Sequence, residues 1–275
     1  MRQFIIGLLL VAVVLGYGRQ AIAEPLALPV EVVNAPITVR AERGLERDAR
    51  RIAQRAPAML ERIAADLPEL PTPKSVEIRL VRYSKDLGRV APEGRGAPPW
   101  AVGVAYPGTN IVAVARKRGS MPVDVASTVA HELAHMALDA AWTDNRVPRW
   151  LNEGFAYLHS SDLSFERSRT LTGMAWTGDV IPLVELDSRF PDREMAAHRA
   201  YAQSYDFVSF LARRGRFRDK DDDGDRWPFR DFLAELARGA TLDEAAKSNY
   251  AASMSQLFQE WYESMRSRYM LSPIG

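Results

Sequence analysis

The stretch Thr128-Val129-Ala130-His131-Glu132-Leu133-Ala134-His135-Met136 constrains this chain more than any other, because it asks one helix to bring two imidazoles to one place. Its apolar residues have helical spacing, so His131 and His135, four positions apart, lie about 40° apart around the axis and about 6 Å apart along it. Two rings so placed can hold one metal ion. Glu132, between them in sequence, is positioned to take a proton from a water molecule beside that metal, which is the physical content of an H-E-x-x-H pattern. The run Trp150-Leu151-Asn152-Glu153-Gly154-Phe155-Ala156 follows after a short gap and offers Glu153 as a third ligand.

The rest of the chain is compatible with a folded, exported protein. With 275 residues, 47% hydrophobic and 26% charged, it can bury one large core or two smaller ones. Met1-Arg2-Gln3, the apolar run Phe4 to Leu15 and Ala21-Ile22-Ala23 read as a positive n-region, a short h-region and an A-x-A site, so cleavage of a signal peptide is expected after Ala23. That run is shorter than the roughly 20 apolar residues a bilayer span needs, so no stable membrane span is expected after cleavage, and the compartment is periplasmic or secreted. The leader holds Arg2 and Arg19 and no acid, which leaves 34 basic against 35 acidic side chains beyond it. That balance argues against a nucleic-acid partner. The chain has no cysteine, which excludes disulfides and thiolate ligands.

Taken in order, Glu31 to Val33 and Ile37 to Val39 read as strands around Asn34-Ala35-Pro36. Gly44 to Leu67 is an amphipathic helix, which Pro57 should kink or split. Val76 to Val81 alternates like a strand, and Ser84 to Pro99 reads as a loop over an irregular or short helical piece. Trp100 to Tyr106 and Ile111 to Ala115 are expected to form a hairpin through Pro107-Gly108-Thr109-Asn110, with an open edge to which an extended peptide could add. The metal helix is expected over Pro122 to Leu138, a second helix from Pro148 to Ser160, and the remainder as a helical half with an irregular stretch at Asp179 to Pro191. Strands precede helices, which favours an α+β class. The expected organisation beyond residues 1–23 is a single catalytic domain over 24–275, with a sheet-containing half, 24–138, and a helical half, 139–275.

Two histidines, a glutamate and an open position are one of the known ligand sets of catalytic zinc, which lowers the pKa of water toward about 7 and polarises a carbonyl. The motifs His131-Glu132-Leu133-Ala134-His135 and Trp150-Leu151-Asn152-Glu153-Gly154-Phe155-Ala156 resemble those of the gluzincin metallopeptidases, most closely the bacterial peptidase MA-like families. The resemblance implies a zincin-like fold, zinc on His131, His135 and Glu153, Glu132 as the base, and a peptide or protein substrate. Two departures stand out. The G-x-M-E-N motif of the aminopeptidases is absent, its region reading Ala101-Val102-Gly103-Val104-Ala105-Tyr106, which leaves an endopeptidase or another hydrolase open. Thermolysin-like relatives carry an Asp four residues after the third ligand, where Tyr157 stands here, and Asp139 is a candidate to orient a ligand in its place.

Hydrolysis also needs an oxyanion donor. His198, Tyr201 and Tyr205 share one helical face by their spacing, and peptidase MA-like proteins have a similar Tyr-x-x-Ser stretch, so Tyr201 is the candidate with His198 or Tyr205 in reserve. Asp219 to Asp225 matches the first half of a calcium loop, with Arg230 where the twelfth-position Glu should be, and a solvated acidic loop is its default reading. The alternative to a peptidase is a weakly active or inactive gluzincin-like domain that binds a peptide or a cell-envelope component.

Overall fold

Proline 57 has its consequence met from outside the helix that contains it. In the computed structural model, which describes residues 24–142, 146–160, 165–188, 194–214 and 227–271, helix α1 runs unbroken over Glu46–Ala64 with Pro57 inside it. Pro57 has no N–H for the carbonyl of Ala53 four residues earlier, and a buried carbonyl without a donor is costly. Asn34 Nδ2 donates to that carbonyl at 2.9 Å. The helix is therefore not split: a side chain from the strand Val30–Asn34 satisfies the carbonyl that the missing helix bond leaves. The leader, residues 1–23, and the acidic loop from Asp219 to Asp225 lie outside the described residues.

The chain divides into two compact units, Met1–Ala64 with Pro71–Ala140 and His159–Ser161, and Ala65–Leu70 with Ala141–Leu158 and Asp162–Gly275. The first unit is built on a mixed sheet. Strand β1 (Val30–Asn34) turns through a cis Ala35–Pro36 peptide into β2 (Ile37–Ala41), to which it is antiparallel. After α1, β3 (Val76–Tyr83) lies parallel to β2 and to β5 (Ile111–Arg118), while β4 (Gly103–Tyr106) pairs antiparallel with β5. The order is β1-β2-β3-β5-β4, with the two-residue β6 (Met121–Pro122) on β5. Of the irregular or short helical piece expected after β3, the helical alternative is the one found, as a 3-10 helix over Ser84–Val90. Helix α1 buries Ala49, Ile52, Ala53, Ala56, Met59, Leu60 and Ile63 at three- and four-residue spacing and leaves its arginines outward.

Strand β4 is one edge of the sheet, and its register says which backbone groups point away. Ala115 N donates to Val102 O at 2.8 Å, which makes Val102 and Ala115 a bonded pair. By alternation Val104 and Tyr106 turn their groups to β5, and Gly103 and Ala105 turn theirs outward. All four residues of β4 are buried, so the strand has the expected edge position without exposure to bulk solvent.

Helix α2 (Val125–Ala141) starts at Val125 rather than Pro122, because Asp124 Oδ1 accepts from the N–H groups of Ala126 and Ser127, at 3.1 Å each. It is buried on nearly every side from Ser127 to Leu138.

The second unit is helical: α3 (Arg149–His159), α4 (Phe165–Thr177), α5 (Leu183–Ser188), α6 (Glu194–Arg214), α7 (Trp227–Ala237), α8 (Leu242–Tyr250) and α9 (Met254–Leu271). The class is thus α+β, as the order of strands and helices suggests. Trp150, Phe155, Phe207, Phe229, Phe232 and Trp261 are fully buried in its core. Within it Asp206, also buried, accepts from Trp261 Nε1 at 2.8 Å and from both terminal nitrogens of Arg268, at 3.0 and 2.7 Å, fastening α9 to α6. Gly154 allows α3 to lie against the α6 backbone, since a Cβ there would collide with the Ser204 carbonyl and Val208 Cγ2. Among the described residues no helix is long and apolar enough to cross a membrane.

Candidate metal centre

The two histidines meet as their spacing requires. His131 Nε2 and His135 Nε2 are 3.0 Å apart, with ring centroids 4.7 Å apart and planes at 77°. Both side chains are buried. In neutral imidazoles such a pair is compatible with one N–H donor and one lone pair, or with two lone pairs on a shared cation.

Glu132 is fully buried beside them. Its place depends on Gly103 of β4: a Cβ at that position would run into Glu132 Oε1 and Thr128 Cγ2 and lie 3.1 Å from Glu132 Cδ. The φ of Gly103 is not positive, so glycine is needed here for space and not for conformation. Tyr106, at the other end of β4, is also buried, and its hydroxyl has no hydrogen-bond partner among the described residues. Burial pushes the Tyr106 phenol well above its usual range, and the Glu132 carboxylate adds to that rise.

Glu153 sits on α3, whose N-terminus is fixed by Asp187 Oδ1 accepting from Arg149 N at 2.8 Å. It is fully buried, and burial pushes its carboxyl up to about 8, with the Arg149 charge pulling the other way. His131, His135 and Glu153 form a group able to hold a metal ion, each offering one ligand atom, all within 4.8 Å of one another. Two imidazole nitrogens and a carboxylate oxygen, withdrawn from water, suit a divalent cation of borderline hardness. A buried acid that is reluctant to ionise by itself fits the same purpose, since a cation supplies the charge that burial denies it.

The other candidates fall as follows. Tyr201, on α6, is buried with its ring edge against Tyr157, centroids 5.8 Å apart at 62°. His198 is half-buried one turn earlier on α6 and does not belong to the ligand group. Tyr205 lies under the guanidinium of Arg167, 4.0 Å from its ring centroid, and the same guanidinium is 5.5 Å from the Tyr157 ring. Asp139 is half-buried, and its Oδ2 accepts from Gly108 N at 2.8 Å, tying the end of α2 to the β4–β5 turn instead of orienting a ligand.

Sequence reasoning assigned no place in the site to Gly103 or Arg167, and Tyr157 entered it only as the residue standing where the thermolysin-like pattern has Asp. Only the first left a signal, a glycine inside a strand, which marks close approach of another group. The Peptidase MA superfamily model matches residues 96–267, well over half of the chain and all of the residues just described. No curated protein matches the chain. On that match, which runs from the segment before β4 into α9 and includes both motifs, the chain belongs to the Peptidase MA superfamily.

Proposed function

We propose that this chain is an exported zinc-dependent endopeptidase. The observation that carries the reading is the convergence of His131 Nε2, His135 Nε2 and the Glu153 carboxylate, with Glu132 fully buried on the same helix as the two histidines. His131, His135 and Glu153 would hold the zinc. When bound, zinc supplies a Lewis acid that makes water acidic enough to ionise near neutral pH and polarises a carbonyl.

The chain's own groups do the rest. A Glu132 carboxylate oxygen takes the proton from the attacking water and passes it to the leaving amide nitrogen, so that one residue serves as base and then as acid. The space at Gly103 fixes where that carboxylate rests. Tyr201 Oη, with His198 as the reserve, donates a hydrogen bond to the oxygen of the scissile carbonyl as it gains charge. The endopeptidase assignment is supported by β4, which reads Gly-Val-Ala-Tyr and offers no acid to hold a substrate's free amino group.

The test is direct. Purified protein should carry close to one zinc per chain, and Glu132→Gln should retain it while losing hydrolysis of a peptide library by at least about a thousandfold. Equal turnover by the two proteins rules out this chemistry and leaves a domain that binds a peptide or envelope component. Export is checked separately: mass spectrometry of protein from the cell envelope or medium should find an N-terminus at Glu24, and an intact Met1 rejects the processing reading.

A further inference from the structure

Around Tyr201 the second unit assembles four side chains from three helices. Tyr157 is one turn beyond Glu153 on α3 and therefore on the same side of that helix. Its ring, 5% exposed, meets the ring of Tyr201, 6% exposed, edge to face at 5.8 Å and 62°. Tyr205 is one turn beyond Tyr201 on α6. The guanidinium of Arg167 on α4 lies 4.0 Å from the Tyr205 centroid and 5.5 Å from the Tyr157 centroid, bridging the turn below the metal ligand to the turn below the phenol. Aromatic edge contacts and guanidinium stacking both have preferred geometry, so such a cluster restricts ring orientation as well as burying area.

Burial alone does not explain this arrangement. A core helix filled with leucine would exclude water equally well and leave the ring of Tyr201 free to choose its rotamer. We propose that Tyr157, held from behind by Arg167, is a positioning residue that fixes the Tyr201 phenol relative to the helix carrying Glu153. This rests on the peptidase reading above and adds to it a device that couples the oxyanion donor to the helix of the third ligand. The device acts through ring packing, so its effect falls on the rate of the chemical step and not on substrate affinity.

The experiment is a double-mutant cycle on the zinc-loaded full chain, with a random-sequence quenched-fluorescence peptide pool as the substrate. Tyr201→Phe sets the reference and should lower kcat about a hundredfold. Tyr157→Leu should lower kcat about tenfold with KM within twofold of wild type, and zinc content and melting temperature identify a variant that has failed to fold. Tyr157→Phe, which keeps the ring, should recover most of that loss, and Arg167→Met should fall between the two. In the Tyr201→Phe background, Tyr157→Leu should cost less than twofold, because the group it positions is gone.

The same tenfold cost in both backgrounds overturns the inference, as does a loss in KM alone or a Tyr157→Phe variant no better than Tyr157→Leu. Full activity of Tyr201→Phe removes the donor role and the inference with it. A wild-type chain that cleaves nothing in the pool, while Glu132→Gln binds zinc equally, instead rejects the peptidase reading.

Discussion

Glu153 should make the metal-free protein less stable as pH rises, and substitution of that one residue should abolish the effect. Its carboxyl is fully buried, and burial raises it from 4.5 to about 8. The unfolded chain releases this proton at the ordinary carboxyl value. Between roughly pH 4.5 and pH 8 the folded state therefore binds more protons than the unfolded state, and linkage makes the slope of unfolding free energy against pH negative. The contribution is intact below the unfolded value and is lost progressively as pH rises toward the folded one. The full separation corresponds to ~5 kcal/mol at most. Glu153→Gln is close in size and neutral at every pH, so the variant lacks the term.

The assay is urea unfolding followed by far-ultraviolet circular dichroism, on chelator-stripped wild type and Glu153→Gln, from pH 5 to pH 9. At pH 5 the two should be nearly equal. By pH 8.5 the variant should be the more stable by about 3–5 kcal/mol, allowing for some relaxation of the buried site. Zinc should reverse the ranking, since a carboxylate ligand must give up its proton to bind and the metal stabilises only the folded chain. Parallel pH profiles for the two metal-free proteins would refute the argument, because they would mean that Glu153 ionises in the fold as easily as in water.

The remaining expectations concern packing. Gly103→Ala should leave zinc binding intact and reduce turnover about a hundredfold, since the new methyl group must displace the Glu132 carboxylate by about 1 Å; unchanged kcat would show that the carboxylate has room to yield. Asn34→Ala should destabilise the protein by about 1–2 kcal/mol, because Ala53 O loses its donor. In a Pro57→Ala background, where α1 recovers its own N–H, the same change should cost only a few tenths of that, and equal costs in the two backgrounds would disprove the link.

What the sequence disclosed and what it did not divide along the range of the interactions. The placing of His131 and His135 together was legible because four-residue spacing on a helix is a local rule, whereas Glu153 was marked only by the resemblance of its Asn-Glu-Gly run to the gluzincin motif. The β4–β5 hairpin was likewise readable from its turn residues, and Asn110 and Gly108 indeed adopt positive φ there, at 56° and 72°. Placing β3 between β2 and β5 required pairings between distant segments that no periodicity encodes. Helix α5 was read as irregular because six residues are too few to show a period, although Pro182 O accepts from the N–H groups of both Glu185 and Leu186 and so starts it. Pro57 was misjudged from a different cause, a local default of a broken helix that a single distant hydrogen bond overrides, and Asp139, a candidate to orient a ligand, instead accepts from the backbone of the β4–β5 turn. The same limit applies at the centre. Sequence names the atoms able to ligate a metal, but whether Glu153 holds a proton without one is decided by burial, and where Glu132 rests is decided by a missing side chain on another strand. The side chains able to ligate are therefore named by short motifs, whereas their protonation and aim are properties of the packing around them.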